Sequence, residues 1–161
     1  MEANILITGT PGTGKSTLSK ALSAELPDYT YINISEYANE NKCISKYDKR
    51  RDTYVLDEDQ LLDLLEVAMS TGKYIVEYHS SDLFPERWFK HIYCLSTDTD
   101  VLYDRLKARN YSTSKIAENV QCEIMQVCLE EAKESYKIVH SLKCNNEDHL
   151  SKNVEFILSD L

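Results

Sequence analysis

The fold of this chain is decided by the stretch Gly9-Thr10-Pro11-Gly12-Thr13-Gly14-Lys15-Ser16-Thr17. It matches the pattern G-x-x-x-x-G-K-[ST], the P-loop, whose main-chain N–H groups cradle phosphates. An apolar run at residues 4–8 precedes it and is typical of a buried parallel strand. Apolar residues at helical spacing follow it over 16–26. Because strand, glycine loop and helix are the context that the motif requires, the stretch predicts a phosphate-binding loop.

The residue types in this loop suit a nucleotide. Glycines at 9, 12 and 14 leave the main-chain N–H groups unobstructed, and the positive end of the following helix faces the same side. Lys15 would bring a positive charge to the β- and γ-phosphates, and the Ser16 hydroxyl would ligate Mg²⁺. The alternative is a chance glycine-rich turn before a helix.

Composition narrows the class of protein. The chain has 161 residues, enough for one domain with its own core, and a net charge of −9. This charge disfavours a broad nucleic-acid groove, and it fits either solubility or a basic protein partner. The five cysteines show no metal-binding spacing, and no apolar run approaches the roughly 18 residues of a membrane span. We expect reduced thiols in a cytosolic or nuclear protein with no membrane contact.

Strand-like and helix-like segments alternate after the loop. Further strands are predicted over 29–34, 73–79, 92–95 and 138–142. Further helices are predicted over 35–41, 57–72, 97–109, 114–136 and 148–161, with Ser35 and Asp57 as N-caps. The polar segment 42–53 is expected to be a loop. Five strands interleaved with helices predict a doubly wound parallel α/β domain with helices on both faces.

Two polar residues mark the end of the predicted strand 73–79. Glu77 closes an apolar run, which is the form of a Walker B element that orders the water shell of Mg²⁺. His79 lies two residues further, so both side chains would point to the same side. Ligands of open α/β sheets bind beyond the carboxyl ends of the strands. Both residues are therefore candidate catalytic residues, with a salt-bridged acid and a hydrogen-bonded histidine as the alternatives.

Two arginines lie four residues apart on one predicted helix. Arg105 and Arg109 would share a face near the helix C-terminus and form a fork for phosphate oxygens. The alternative is a pair of surface arginines that bind Asp104 or Glu118.

Several segments together carry a family resemblance. They are Gly9-Thr10-Pro11-Gly12, Tyr78-His79, Asp82-Leu83-Phe84-Pro85-Glu86-Arg87-Trp88, Thr97-Asp98-Thr99 through Val101-Leu102-Tyr103, Arg105-Leu106 with Arg109, and Asn119-Val120-Gln121-Cys122-Glu123-Ile124. Over nearly the whole chain they resemble the atypical nuclear adenylate kinases, the isoenzyme-six class, also called coilin-interacting nuclear ATPases. The Pro-Glu-Arg-Trp and Gln-Cys-Glu-Ile segments are much more specific than the loop.

The resemblance implies a single P-loop NTPase domain with a monophosphate-binding flap at about 33–56 and a short lid at about 108–118. It implies ATP and Mg²⁺ as cofactors, the reaction ATP + AMP ⇌ 2 ADP, and accompanying ATP hydrolysis. It also implies a role in small ribosomal subunit maturation, a basic small-subunit ribosomal protein as partner, and a location in the nucleus and cytoplasm. No specific DNA binding is expected.

The resemblance also assigns residues. Six positions match the family's ATP site: Gly12, Gly14, Lys15, Ser16, Thr17 and Arg109, with Thr13 inside the same loop. His79 matches the family's histidine after the Walker B strand. Three positions depart from the family's usual residues: Glu77 replaces Asp, and Ser80 and Asn110 each replace Gly.

The expected mechanism is in-line phosphoryl transfer from ATP to AMP. Lys15 and the loop N–H groups would hold the β- and γ-phosphates, while Ser16 and, through water, Glu77 would hold Mg²⁺. Arg109, together with Arg105, would neutralise charge on the transferring group. One alternative is an ATPase switch that acts on a ribosomal protein, with incidental AMP kinase activity. Another is a kinase for a different small acceptor.

Overall fold

A parallel sheet built from five strands forms the centre of the molecule. The computed structural model describes residues 3–51 and 53–161. In chain order its strands are β1 (Ile5–Gly9), β2 (Thr30–Asn33), β3 (Ile44–Asp48), β4 (Thr53–Leu56), β5 (Tyr74–Glu77), β6 (His91–Ser96) and β7 (His140–Lys143). The sheet has the order β2-β5-β1-β6-β7, and all its neighbouring strands are parallel. The predicted five-stranded parallel sheet is confirmed.

Seven α-helices of the described chain connect and cover the strands. They are α1 (Lys15–Glu25), α2 (Ile34–Glu40), α3 (Glu58–Thr71), α4 (Thr99–Ala108), α5 (Thr113–Ile124), α6 (Val127–Ser135) and α7 (Glu147–Asp160). Two short 3₁₀ turns, Ser81–Leu83 and Glu86–Trp88, lie between β5 and β6. None of the helices in the described ranges has both the length and the apolar character that a membrane crossing requires.

The alternation of side chains along β1 divides the core into two layers. Ile5 and Ile7 pack with residues of α1 and α7 on one face of the sheet. Leu6 points to the other face and packs with residues of α3 and α6. Since successive side chains of a strand point to opposite faces, a strand covered on both faces is apolar at every position. The prediction of helices on both faces is confirmed.

The polar segment 42–53, expected to be a loop, instead contains most of an antiparallel hairpin of β3 and β4. Ser45, Lys46 and Tyr47 are all exposed, although they lie consecutively along β3. A strand with water on both faces has no alternation of apolar and polar residues, so its sequence is not distinguishable from a loop. The hairpin with α2 fills the range that the resemblance assigned to the flap.

The helix predicted over 114–136 is wrong, because α5 and α6 are separate helices. Gln126 lies between them with φ of 52°, in the left-handed region that ends a right-handed helix. The apolar spacing runs across the break, but Ile124 and Met125 are 60% and 63% exposed. Periodicity alone therefore gave no sign of the break.

Two helix starts test the predicted caps. The Asp57 carboxylate accepts the N–H of Gln60 at 3.2 Å, as the sequence predicts. The cap of α2 is Asn33, whose side chain accepts the N–H of Glu36 at 3.2 Å, so the prediction of Ser35 is wrong. Because β2 runs directly into α2, the capping side chain is also the last residue of the strand.

Asp160 joins the end of α7 to the edge of the sheet. Its carboxylate accepts a hydrogen bond of 2.6 Å from the Tyr93 hydroxyl. His91 Nδ1 and His140 Nε2 lie 3.6 and 3.5 Å from the same carboxylate oxygen. The Tyr93 hydrogen bond, followed by the two histidines, lowers the pKa of Asp160 below its ordinary value. The Asp160 carboxylate thus holds the last turn of α7 against β6 and β7.

We expect Asp160→Asn to lower the free energy of unfolding by about 1 kcal/mol at pH 7, because the hydrogen bond from the Tyr93 hydroxyl loses its charged acceptor. The folded-state pKa of this carboxyl lies below its unfolded value. Its contribution is therefore present above the unfolded pKa, roughly 4, and is lost as the pH falls through the folded value. Urea denaturation of both proteins at pH 7, 5 and 3.5 would measure the difference.

The matched control for this experiment is Asp148→Asn on the same helix. Asp148 pairs with Lys152 at 2.9 Å, but both side chains are about 70% exposed, so solvent screening leaves no measurable loss. A loss of stability in Asp160→Asn that is equal at pH 7 and pH 3.5 would contradict the assignment.

Candidate active site

The sheet brings the phosphate-binding loop and Glu77 to the same edge. β1 and β5 are neighbours, and Ile7 lies in register with Glu77. The N–H of Tyr78 donates to the carbonyl of Ile7 at 3.1 Å, which extends the pairing beyond β5. The loop that follows β1 and the acid that ends β5 are therefore adjacent, as expected for the carboxyl edge of an open α/β sheet.

Gly12 is required by packing as well as by phosphate access. Its φ is 94°, and a Cβ built on it would lie 2.8 Å from Leu102 Cδ1 and 2.9 Å from Leu106 Cδ2. Helix α4 therefore packs directly on the backbone of the loop, at a distance that only glycine allows. This contact fixes the position of the helix that carries Arg105 and leads to Arg109.

Internal hydrogen bonds hold the polar side chains of the loop. The buried Lys15 ammonium donates to the carbonyls of Gly9 and Thr10 at 2.8 and 3.2 Å. Burial lowers the pKa of Lys15, and the Glu77 carboxylate opposes this shift. The Thr13 hydroxyl donates to the Thr10 carbonyl at 2.7 Å and shapes the turn. Lys15 thus lies inside the loop, where a phosphate in the cradle would offer it stronger acceptors.

The Glu77 carboxylate binds two hydroxyl groups. Ser16 Oγ donates to Oε1 at 2.7 Å, and the Tyr31 hydroxyl donates to Oε2. Burial and then the hydrogen bond to Glu77 raise the pKa of Tyr31, so its hydroxyl remains a donor at neutral pH. Sequence reasoning missed Tyr31. Tyr31 lies two residues before Asn33, and Asn33 is in register with Glu77. The proximity of Tyr31 to Glu77 can therefore be inferred only when the pairing of β2 with β5 is known.

The donor set beside the loop fits Mg²⁺. Ser16 and Glu77 supply hard oxygen ligands or second-sphere acceptors on one side of the phosphate cradle. Within the described ranges, no three His, Cys, Asp or Glu side chains are grouped so that they could hold a metal ion. Magnesium keeps several waters and is commonly held by one or two protein oxygens together with substrate phosphates. Ser16 and Glu77 therefore suit a Mg²⁺ ion that is bound together with nucleotide phosphates.

Two adjacent cavities meet at His79. The reaction cavity, of about 280 Å³, is lined by Gly12, Gly14, Lys15, Ser16, Glu77 and Arg109 among others. The flap cavity, of about 420 Å³, is lined by α2 and the β3–β4 hairpin. Ser35, Tyr78 and His79 line both cavities. A ligand in each would meet at these residues, which is the arrangement that a transfer between two ligands requires.

His79 is open to these cavities, and its ring lies 4.4 Å from that of Tyr78. Desolvation and then the charge of Lys15 lower the pKa of His79, so the imidazole is neutral at pH 7. Its carbonyl accepts from Thr8 Oγ1 at 3.3 Å and from Cys128 Sγ at 3.4 Å, which fixes its backbone. Its ring can donate or accept one hydrogen bond but does not add a cation to the site.

The two candidate arginines have different environments. Arg105 Nη1 donates to the carbonyls of Gly12 and Cys144 at 3.2 and 3.0 Å and contacts Thr97 Oγ1 at 3.3 Å. Arg109 is exposed at the end of α4 and lines the reaction cavity. Among the ion pairs of the described residues, none joins either arginine to Asp104 or Glu118. Arg105 therefore braces the loop, whereas Arg109 faces the space that phosphates would occupy.

A third cavity adjoins the loop on the side of α4. It has a volume of about 440 Å³, and its lining includes Thr17, Arg105, Arg109 and Cys144. It shares Gly12, Gly14 and Arg109 with the reaction cavity. A larger groove of about 560 Å³, lined by Phe89 and Tyr136 among others, contains none of the candidate residues.

Glu123 is a second residue to which sequence reasoning gave no role. Its carboxylate accepts the N–H of Thr97 at 2.9 Å and the hydroxyl of Thr10 at 3.2 Å. It thereby ties the end of α5 to the loop and to the exit of β6. The sequence signal was its place in the specific Gln-Cys-Glu-Ile segment.

The three departures from the family pattern differ in their consequences. Asn110 has φ of 60°, a conformation that asparagine tolerates better than most residues. Ser80 is extended, with φ of −108°, so its position does not need glycine. Glu77 reaches both Ser16 and Tyr31 with its longer side chain.

Comparison with known proteins agrees with this geometry. A family model described as AAA domain matches residues 5–126. A protein of Drosophila melanogaster named adenylate kinase isoenzyme 6 homolog is 47% identical over 145 residues, which cover 89% of this chain and 82% of that protein. The Saccharomyces cerevisiae homolog is 44% identical over 158 residues, with 97% and 80% covered.

Solved structures agree on the fold. A shikimate kinase from Bacteroides thetaiotaomicron superposes with a TM-score of 0.64 at 17% identity, and the match covers 99% of both chains. At this identity the likeness concerns the fold alone. The curated relatives match at far higher identity over most of their length, and we conclude that the chain belongs to the adenylate kinase isoenzyme 6 family.

Proposed function

We propose that this protein is a nucleoside monophosphate kinase that catalyses ATP + AMP ⇌ 2 ADP with Mg²⁺. The observation that carries the proposal is the junction of two cavities at Ser35, Tyr78 and His79. One cavity contains the phosphate-binding loop, and the other is enclosed by α2 and the β3–β4 hairpin. The printed names of the relatives, adenylate kinase isoenzyme 6 homolog, support the same class of reaction.

The chemistry needs positioning and charge rather than a covalent intermediate. An oxygen of the AMP phosphate attacks the γ-phosphorus of ATP, the bond to the β,γ-bridging oxygen breaks, and two ADP molecules result. The loop N–H groups and Lys15 hold the β- and γ-phosphates, and Arg109 faces the transferring group from the end of α4. Bound Mg²⁺ supplies positive charge to the phosphate oxygens. Ser16 and Glu77 lie where they can bind it, Glu77 through water.

We also propose ATP hydrolysis at the same site. The connection between α4 and α5 spans only residues 109–112, and Arg109 and Tyr111 in it line the reaction cavity, so a lid built from it is short. Water could then replace AMP as the acceptor, since exclusion of water is what suppresses hydrolysis in a closed site. His79 and Glu77 both line the reaction cavity and could form hydrogen bonds with such a water.

A second candidate function is an ATP-driven assembly switch. The net charge of −9 favours a basic partner, and the family resemblance names a small-subunit ribosomal protein in ribosomal subunit maturation. Nuclear and cytoplasmic location belongs to this proposal. Pull-down of the basic ribosomal protein with and without ATP tests it, and binding that is unaffected by ATP would contradict a switch.

Nucleotide chromatography after incubation with MgATP, alone and with AMP, separates the two functions. We expect rapid ADP formation that requires AMP, with two ADP formed for each AMP consumed, and a slower ADP and phosphate release without AMP. Release of ADP and phosphate with no consumption of AMP would contradict the kinase and favour the switch.

Lys15→Ala should reduce kcat/KM at least about 100-fold, because a buried cation at the transferring phosphate is removed; this corresponds to about 2.7 kcal/mol. Lys20→Ala is the matched control, since Lys20 is exposed on the same helix and lines none of the three cavities. Steady-state kinetics with circular dichroism checks both. Full turnover by Lys15→Ala would exclude the proposed phosphate site.

Arg51→Ala should raise the KM for AMP about tenfold and leave the KM for ATP unchanged. Arg51 is the only cationic residue among the described residues that line the flap cavity. A monophosphate dianion in this cavity needs such a partner, and tenfold corresponds to about 1.4 kcal/mol.

Arg50→Ala is the control for this prediction. Arg50 precedes Arg51 in the same turn but does not line the flap cavity. Both backbone N–H groups contact Asp48 Oδ1, at 2.9 and 3.4 Å, so neither substitution removes the turn. Equal effects of the two substitutions on the KM for AMP would mean that only overall charge matters.

A further inference from the structure

The hydroxyl of Tyr31 reaches a buried carboxylate that the proposed mechanism uses only indirectly. Glu77 is 6% exposed, and each of its carboxylate oxygens accepts one hydroxyl. Ser16 binds Oε1 from the loop side, and Tyr31 binds Oε2 from β2. The two donors fix the carboxylate from opposite elements of the fold.

We propose that Tyr31 is a positioning residue for the divalent cation that accompanies the nucleotide phosphates. Its hydroxyl holds the Glu77 carboxylate in the orientation in which one oxygen stays on Ser16 and the free lone pairs face the phosphate cradle. This inference rests on the proposed phosphoryl transfer at the same site, and it adds a residue that contacts neither nucleotide.

The length of Glu77 is the physical reason for such a residue. A glutamate side chain has one more rotatable bond than an aspartate side chain, so holding its carboxylate in one place costs more side-chain entropy. Ser16 alone fixes one oxygen and leaves the carboxylate free to turn about that contact. The Tyr31 hydroxyl removes this freedom before any ligand binds, which is preorganisation.

The position of Tyr31 allows the hydroxyl to be tested apart from the ring. The ring packs against the core layer of α1 and α7, as a half-buried residue of β2. Tyr31→Phe keeps this packing and removes only the oxygen that reaches Glu77. A change in metal dependence in this variant therefore comes from the carboxylate and not from a repacked strand.

The experiment is an equilibrium titration of the full chain with a non-hydrolysable ATP analogue, at saturating Mg²⁺ and in EDTA. The Kd in EDTA divided by the Kd in Mg²⁺ gives the factor by which the metal strengthens nucleotide binding, and it is measured without any turnover. We expect Tyr31→Phe to reduce this ratio about five- to tenfold while the Kd in EDTA changes less than twofold. The magnesium concentration for half-maximal rate should rise by a similar factor.

Tyr93→Phe is the matched control. It also removes a tyrosine–carboxylate hydrogen bond, the 2.6 Å contact with Asp160, in the C-terminal cluster of Asp160, His91 and His140. It should lower the unfolding midpoint and leave the ratio of Kd values unchanged. If the ratio of Kd values fell in both Tyr31→Phe and Tyr93→Phe, the effect would come from lost stability and not from the Glu77 carboxylate. That result would overturn the inference.

Glu77→Asp gives a second variant. Its shorter side chain withdraws the carboxylate from Tyr31, so adding Tyr31→Phe to it should change the ratio less than twofold. An undiminished effect of Tyr31→Phe in that background would overturn the inference. A larger ratio in Tyr31→Phe than in the wild type would also overturn it, because Tyr31 would then compete with the metal for Glu77.

The outcomes separate this inference from the proposed function. The wild type could bind the magnesium–nucleotide complex more tightly than the free nucleotide and still leave AMP unphosphorylated. That result would contradict the kinase, and the ratios of Kd values would still decide the role of Tyr31. A wild type whose nucleotide affinity is independent of Mg²⁺ would overturn the role of Tyr31, and product analysis would still decide the kinase.

Discussion

The parallel pairing of β1 with β5 is the constraint on which the site depends. It places the loop after β1 beside the acid at the end of β5, although Ser16 and Glu77 are 61 residues apart in the chain. The pairing is stabilised by apolar side chains on both faces of the two strands, at Ile5, Leu6 and Ile7 and at Ile75 and Val76. The polar site is therefore positioned by the most buried part of the core.

The loop also contacts the second half of the chain, in addition to the pairing of β1 with β6. Helix α4 packs on Gly12, Arg105 binds the Gly12 carbonyl, and Glu123 binds Thr10. A rigid loop with Lys15 bound to its own carbonyls presents its N–H groups without rearrangement.

The flap cavity is built on a different principle. Its walls are α2 and a hairpin whose exposed side chains contribute little to the core, and Arg51 and Tyr54 face water as well as the cavity. Elements with few buried contacts open at low free-energy cost. Such a hairpin suits a cavity that opens to admit and release a ligand, whereas α2 is held in the core by Ile34 and Ala38.

The sequence by itself determined the loop, the parallel sheet and the helices on both faces, because buried strands and the glycine pattern are local signals. It also named Lys15, Ser16, Glu77, His79 and Arg109, which the structure brings to one cavity. The β3–β4 hairpin and the break at Gln126 had no local signal, since one lacks alternation and the other lies within continuous helical spacing. Only the tertiary structure decided that Tyr31 and Glu123 bind the site and that Arg105 braces the loop, because these contacts depend on which strands and helices are neighbours, and this pairing is a property of the whole core.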